Sequence, residues 1–202
     1  MPIALYHLKE CPFCEKVRLA FGLEQVDFQS LVIDPQDRGE VQKISGQSLV
    51  PVMVDNDGTV VAESNRILRH LATMSDSRLL PPGRRDQALT WVLVDRADVI
   101  LGPICQRLQR QPEANGSLLS DDDLRVLRRR LEDELAVIEG ILERGPYLFG
   151  DHPTVADIAT HAFLNRLPAE EVVPLIGEFP RLTGWYDRML EEARGGGGRG
   201  DG

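Results

Sequence analysis

The chain has 202 residues, 42% of them hydrophobic and 27% charged, which suits one good core or two small ones and excludes wholesale disorder and a collagen-like repeat. The formal net charge of −9 provides no overall basic footprint for a phosphate backbone, which excludes nucleic acid as the expected partner. The longest apolar stretch, residues 91–104, is broken by Asp95, Arg96 and Asp98 and is too short for a membrane helix.

The first eighty residues alternate strand-like and helix-like patterns. Ile3–His7 is a short apolar run and reads as a strand. Pro12 then opens a helix to about Leu23, because proline in a first turn lacks only an N–H that had no intrahelical partner. Residues 28–33 read as a second strand and residues 36–44 as a short helix. Residues 51–55 and 59–62 are β-rich and flank Asn56-Asp57-Gly58, which is hairpin turn chemistry. Ser64 is expected to cap a helix running to about Met74, with Ile67, Leu68 and Leu71 at helical spacing.

Leu79-Leu80-Pro81-Pro82-Gly83 punctuates the chain, and the pattern beyond it is purely helical. Residues 84–111 form one long predicted helix, with a bend expected near Gly102-Pro103. Ser120 with Asp123 resembles a capping box, ahead of a stripe of Leu124, Leu127, Leu131, Leu135, Ile138 and Leu142. Thr154 with Asp157 repeats that arrangement ahead of Ile158, Ala159, Ala162 and Phe163. Residues 170–176 and 179–192 are the last predicted helices. The basic run Arg128-Arg129-Arg130 sits among acids at i,i+4 spacing and reads as a solvated face. The expected division is a domain over 1–76, a linker over 77–83, a helical domain over 84–194 and a flexible glycine-rich tail over 195–202.

Three cysteines occur, Cys11, Cys14 and Cys105. An odd, small number argues against a disulfide scaffold. The first residues show no basic stretch followed by an apolar block, so a reducing cytoplasm is the expected location. Cys11-Pro12-Phe13-Cys14 follows a strand and opens a helix. A thiol there meets unsatisfied backbone N–H groups and the positive end of the helix dipole, both of which favour thiolate. Lys9, Lys16 and Arg18 add positive charge, while Glu10 and Glu15 oppose it. Cys14, one turn further in, is placed to attack a mixed disulfide on Cys11. Zinc is not expected: there is a single CxxC, and Cys105 and the four histidines show no paired ligand spacing. His7, just before the motif, reads as a strand residue.

Cys11-Pro12-Phe13-Cys14, Val50-Pro51, Glu63-Ser64, Gly150-Asp151 and Thr154-Val155-Ala156-Asp157-Ile158 together resemble the cytosolic glutathione transferase superfamily, over roughly residues 3–192. Its cysteine-containing branches, the omega-class transferases, dehydroascorbate reductases and two-domain glutaredoxins, have the most similar site type. The resemblance implies an α/β N-terminal thioredoxin-like domain that binds glutathione, followed by an all-α C-terminal domain. It implies a cis peptide before Pro51 and contacts to glutathione from Phe13, Val50, Pro51, Glu63 and Ser64. Val50 would offer its backbone like an added strand. Ser64 would bind the γ-glutamyl carboxylate at a helix start, and Glu63 the ammonium. Arg38 and Lys43 are alternative cations for the glycine carboxylate. Tyr6 is a possible thiolate stabiliser, although it reads as a core residue. Trp91, Val94, Ile104 and Leu108 are candidates for a second-substrate face, with core packing as the default. The resemblance also implies a homodimer.

The expected activity is glutathione-dependent thiol–disulfide exchange with Cys11 as nucleophile, on a glutathionylated substrate, a small disulfide or dehydroascorbate. Glutathione is the co-substrate, and no metal, nucleic acid or membrane partner is expected. The alternatives are conjugation of glutathione to electrophiles and a non-enzymatic binding module of the same fold.

Overall fold

The computed structural model describes residues 2–74, 77–109 and 119–196, which fall into two compact units. One unit holds the described residues up to Leu80 together with those from Leu190 on; the other is Pro81–Met189. The first unit runs β1 (Ile3–His7), α1 (Pro12–Leu23), β2 (Phe28–Val32), α2 (Gly39–Ser45), β3 (Val52–Val54), β4 (Val60–Ala62) and α3 (Ser64–Leu71). The sheet order is β2-β1-β3-β4. β1 is parallel to β2 and antiparallel to β3, which is antiparallel to β4. A parallel pair needs a crossover, and α1 provides it. This is the mixed sheet of a thioredoxin-like domain.

Its core comes from the two sequence periods. Along β1, Ile3, Leu5 and His7 are buried while Ala4 and Tyr6 are half-buried, the alternation of a strand covered more on one face. Val17, Ala20 and Phe21 of α1 and Ile67, Leu68 and Leu71 of α3 are fully buried, and these two helices pack together. Each of these side chains other than Ala20 contributes on the order of 1.5–3 kcal/mol by leaving water.

Several predicted boundaries shift, most of all those of the helices. Residues 36–38, expected to begin a helix, lie in turns in which Asp34 and Asp37 accept backbone N–H bonds from Gln36 and Gly39 at 2.8 and 3.0 Å. Such short acidic side chains compete with helix formation, so α2 starts only at Gly39. Ser64 is the first helical residue of α3, and Glu63 occupies the N-cap position. The helix stops at Leu71, where a tightened last turn donates Thr73 N–H to His70 O and Met74 N–H to Leu71 O, each at 3.0 Å.

The second unit contains α4 (Arg84–Arg96), α5 (Gly102–Gln109), α6 (Asp121–Ile141), α7 (Val155–Leu164), α8 (Ala169–Ile176) and the start of α9 (Pro180–Gly196). The expected bend is a π-helical stretch at Ala97–Leu101, closed by Gly102 N–H on Ala97 O. Pro103 has no N–H and its ring crowds the carbonyl four residues back, so the turn before it widens. The expected helix end at Gln111 lies outside the described residues. A Cβ at Gly102 would lie 2.8 Å from the Phe163 ring, so glycine permits the close approach of α5 to α7.

Both capping boxes form. Every residue of α7 is buried, which makes it the centre of this unit. Asp157 accepts from Leu148 N (2.9 Å), Thr154 N, Thr154 Oγ1 and Trp185 Nε1 (2.8 Å each). Burial pushes its pKa up and these donors oppose that. On α6, Leu127, Leu131, Leu135 and Ile138 are buried, while Arg129 pairs with Glu132 and Asp133 at 3.5 and 3.4 Å on the exposed side. Helix α9 continues to Gly196, past the expected start of the tail at 195, and residues 197–202 lie outside the described residues. Among the described residues no helix is long and apolar enough to cross a membrane.

Candidate functional site

The site is built at the end of β1, where residues 8–10 lead into α1. Cys11 takes the N-cap position with extended backbone angles (φ −107°, ψ 119°), and its carbonyl accepts from Glu15 N–H at 2.9 Å. Pro12 in the first turn sets the helix direction. The Cys11 thiol is half-buried, and Cys14 behind it is fully buried.

Cys11 is brought down from 9.0 to about 6, chiefly by a hydrogen bond from the Cys14 thiol. The backbone N–H groups of Cys14 and Phe13 and the charge of Arg18 add to this, against the effect of burial. Cys14 is raised, first by its bond to Cys11, then by burial and the Cys11 charge. Leu8 N–H lies 3.5 Å from Cys14 Sγ. The arrangement therefore favours thiolate on the outer, half-buried sulfur and keeps the inner one a thiol that donates to it. Cys105 is buried and pushed up to about 12 by that burial.

Of the cations near the motif in sequence, Arg18 lowers Cys11, whereas Lys16 takes another place. Lys16 is fully buried, donates Nζ to Asn65 Oδ1 at 2.8 Å and lies 5.2 Å from the Phe13 ring centroid. It thereby connects the cysteine motif to the first turn of α3. Its burial was not legible from a charged residue on a helix.

The register of β3 sets Val52 opposite Tyr6, so Pro51 falls alongside the end of β1 and the start of the Cys11 loop. The Val50–Pro51 peptide is cis, as the resemblance implied. Pro51 O accepts from Glu63 N–H at 3.2 Å, which brings Val50-Pro51 and Glu63-Ser64 into one place. Glu63 has φ +74°, an unusual angle for a side chain with a Cβ, at a cost of about 1–3 kcal/mol that the surroundings must hold. Its side chain makes no capping bond to α3, and Ser64 is buried at the helix start.

The remaining candidates disperse. Arg38 donates Nε–H to Pro35 O at 3.1 Å and Lys43 is exposed in the last turn of α2. Burial, then the charge and hydrogen bond of Glu40 on α2, raise the Tyr6 pKa, so its phenol is engaged there. Val94, Ile104 and Leu108 are buried and Trp91 is half-buried. Gln47 was not singled out from the sequence, yet its Nε2 is buried without a hydrogen-bond partner, three residues before Val50. No period or motif marks a lone glutamine. Among the described residues there is no cluster of three or more His, Cys, Asp or Glu positioned to hold a metal ion.

Two family models match the chain. "Glutathione S-transferase, N-terminal domain" covers residues 5–78, and "Glutathione S-transferase, C-terminal domain" covers residues 120–193. The chain is 25% identical to glutathione S-transferase 4 of Zea mays over 93% of its own length and 87% of that protein. It is 31% identical to glutaredoxin 2 of Escherichia coli K12 over 42% of its own length and 39% of that protein. A glutathione transferase from Burkholderia graminis, solved with two glutathione molecules bound per subunit, shares the fold. Its TM-score is 0.82 at 21% identity, with 100% of this chain and 90% of that one covered. With both domain models matched in order over more than half of its residues, the chain belongs to the glutathione S-transferase superfamily of enzymes.

Proposed function

We propose that the chain is a glutathione-dependent thiol–disulfide oxidoreductase with Cys11 as its nucleophile. The observation that carries this reading is the place of Cys11 at the N-cap of α1, where a hydrogen bond from the buried Cys14 thiol lowers its pKa. A serine or tyrosine in that place would only steady the thiolate of glutathione. A cysteine forms a bond to it. The partial identity to a glutaredoxin supports the same reading.

In the proposed cycle the Cys11 thiolate attacks the glutathione sulfur of a glutathionylated substrate. The substrate–glutathione S–S bond breaks, the substrate sulfur leaves with the electron pair and takes a proton, and Cys11 becomes disulfide-bonded to glutathione. A second glutathione, as thiolate, attacks the glutathione sulfur of that bond. Oxidised glutathione leaves and Cys11 returns as thiolate. Cys14 offers a second exit: after losing its proton it attacks Cys11, releases glutathione and leaves a Cys11–Cys14 disulfide. In that mixed disulfide Cys11 carries no charge, so burial alone still opposes ionisation of Cys14 and slows this route on such substrates.

Glutathione itself suits the surroundings of Cys11. Val50 offers backbone groups, and the α3 start at Ser64 offers helix N–H groups to a carboxylate, with Glu63 beside them for an ammonium. Phe13 and Pro51 are the further residues assigned to the peptide, and Arg38 or Lys43, each outside this cluster, would have to reach it as the counter-charge for the glycine carboxylate. Dehydroascorbate and small disulfides fit the same cycle, and conjugation to electrophiles is the weaker alternative.

The test is turnover of a glutathionylated peptide by the wild type, Cys11→Ser and Cys14→Ser. Cys11→Ser should lose activity by at least a hundredfold, because an alcohol is un-ionised near neutral pH. Cys14→Ser should keep a substantial part of it, since glutathione resolves the mixed disulfide. Full activity in Cys11→Ser would overturn the mechanism. Equal loss in both variants would make the dithiol route obligatory.

A further inference from the structure

We propose that His7 is a positioning residue for Cys11, acting through Arg18 as a neutral hydrogen-bond acceptor; the inference rests on the thiolate role proposed for Cys11. His7 is buried at the end of β1. Arg18, on α1, donates Nη1 to His7 Nδ1 at 3.0 Å and to Leu8 O at 3.1 Å, and Nη2 to Lys9 O at 3.2 Å. The other ring nitrogen, Nε2, lies 2.8 Å from Ser30 Oγ on β2.

The protonation pattern follows from the partners. A guanidinium stays protonated and has no acceptor, so the nitrogen facing it must present a lone pair. The ring proton then sits on Nε2 and is donated to Ser30 Oγ, which accepts it. A second ring proton would set N–H against N–H and release Arg18. His7 thus links β2 to the guanidinium as a neutral ring with one donor and one acceptor.

That guanidinium spans the carbonyls of Leu8 and Lys9, in the loop that delivers Cys11 to the head of α1. The same loop sets Leu8 N–H 3.5 Å from Cys14 Sγ. Holding Arg18 therefore does two things: it fixes the backbone beside both sulfurs, and it keeps a permanent positive charge within electrostatic reach of them. The Arg18 charge lowers Cys11, consistent with this placement. A leucine at position 7 would bury as well but would leave Nη1 with one partner fewer, and the charge would be less well held.

The experiment is the pH profile of Cys11 alkylation in the full chain, read at the Cys11 peptide by mass spectrometry. In His7→Phe the apparent Cys11 pKa should rise by about half a unit or more, and kcat on a glutathionylated peptide at pH 6.5 should fall more than KM changes. His7→Asn, whose Oδ1 takes the place of Nδ1 and accepts from Arg18, should restore both. A folded His7→Phe with the wild-type profile would overturn the inference. A wild-type Cys11 that titrates near the free-thiol value of about 8.5 would instead overturn the thiolate reading, and this inference with it. If His7→Phe does not fold, the imidazole ¹⁵N resonances of the wild type decide. A neutral Nε2–H tautomer at pH 7 is expected, and an Nδ1–H tautomer or a doubly protonated ring would overturn the proposal.

Discussion

Two sulfurs one helical turn apart behave as opposites because a single hydrogen bond joins them. The Cys14 thiol is the largest influence lowering Cys11, ahead of the backbone N–H groups. Removing that donor should therefore raise Cys11 more than any change at the helix start. Cys14→Ala is expected to shift the Cys11 alkylation profile upward by about one unit or more, whereas Cys14→Ser, which keeps a donor, should shift it less. With Cys11 lowered well below the ordinary thiol range, the thiolate is expected to predominate at pH 7. Reaction with a small alkylating agent at pH 6.5 would check this, since an ordinary thiol is almost wholly protonated there. The polarity of the pair was legible in Cys11-Pro12-Phe13-Cys14, because helix start and helix interior follow from Pro12. The identity of the assisting cation was not. Lys16 and Arg18 are two residues apart on one helix, and only packing decides that Lys16 meets Asn65 while Arg18 meets the Cys11 loop.

At the scale of elements, the helical unit turns on α7 and its buried Asp157. One carboxylate satisfies the backbone of Leu148, both donors of Thr154 and the indole of Trp185. Asp157→Ala leaves those groups unpaired in a dry interior. Each unsatisfied buried donor costs about 1–3 kcal/mol, so the total loss should exceed 3 kcal/mol. A large fall in the urea midpoint would show it. Asp157→Asn, which keeps one acceptor oxygen, should lose less. The Thr154–Asp157 spacing announced the cap but not the bond to Trp185, which lies 28 residues further on. The bend in the long fourth helix was legible at Gly102-Pro103. Its form as a π turn arises because the widened backbone and the bare Gly102 Cα must fit against Phe163. Gly102→Val should therefore destabilise the unit by on the order of 1–3 kcal/mol through overpacking, measurable by the same denaturation.

The whole molecule carries a pH liability in His161. Its ring is fully buried, both nitrogens lack hydrogen-bond partners, and it lies 5.4 Å from Tyr186 and 6.4 Å from Trp185 between ring centroids. Burial lowers its pKa from 6.5 to about 4. Above pH 6.5 the ring is neutral in both folded and unfolded chains and has no effect. As pH falls from 6.5 to 4 the unfolded chain takes up the proton and the folded chain does not, so stability is lost across that window. The full loss is about 3 kcal/mol. Asp157, one turn away, acts in the opposite sense, because its raised pKa makes the folded chain bind a proton more readily than the unfolded one. His161→Phe should flatten the fall in unfolding free energy between pH 6.5 and 4 and leave the Asp157 contribution. Urea titrations of both proteins at stepwise pH would separate the two.

Length, periodicity and punctuation by themselves determined that this chain has a β-containing first part and a helical second part. The CxxC at a strand–helix junction marked the thiol proposed as nucleophile. These features are local: a period of two or of 3.6, a proline in a first turn, a glycine in a hairpin, each acting within a few residues. Tertiary structure alone decided what surrounds the thiol. The register of β3 set Pro51 beside the Cys11 loop, and Pro51 O drew in Glu63, so the two motifs meet. Residues distant in sequence, Ser30, Lys16 with Asn65, and Gln47, acquired partners or lost them through packing, for which no spacing rule exists. Ser64 shows the boundary between the two. The sequence marked it as a helix start, but whether it caps the helix or opens it depended on Glu63 accepting a left-handed angle, held by its bond to Pro51.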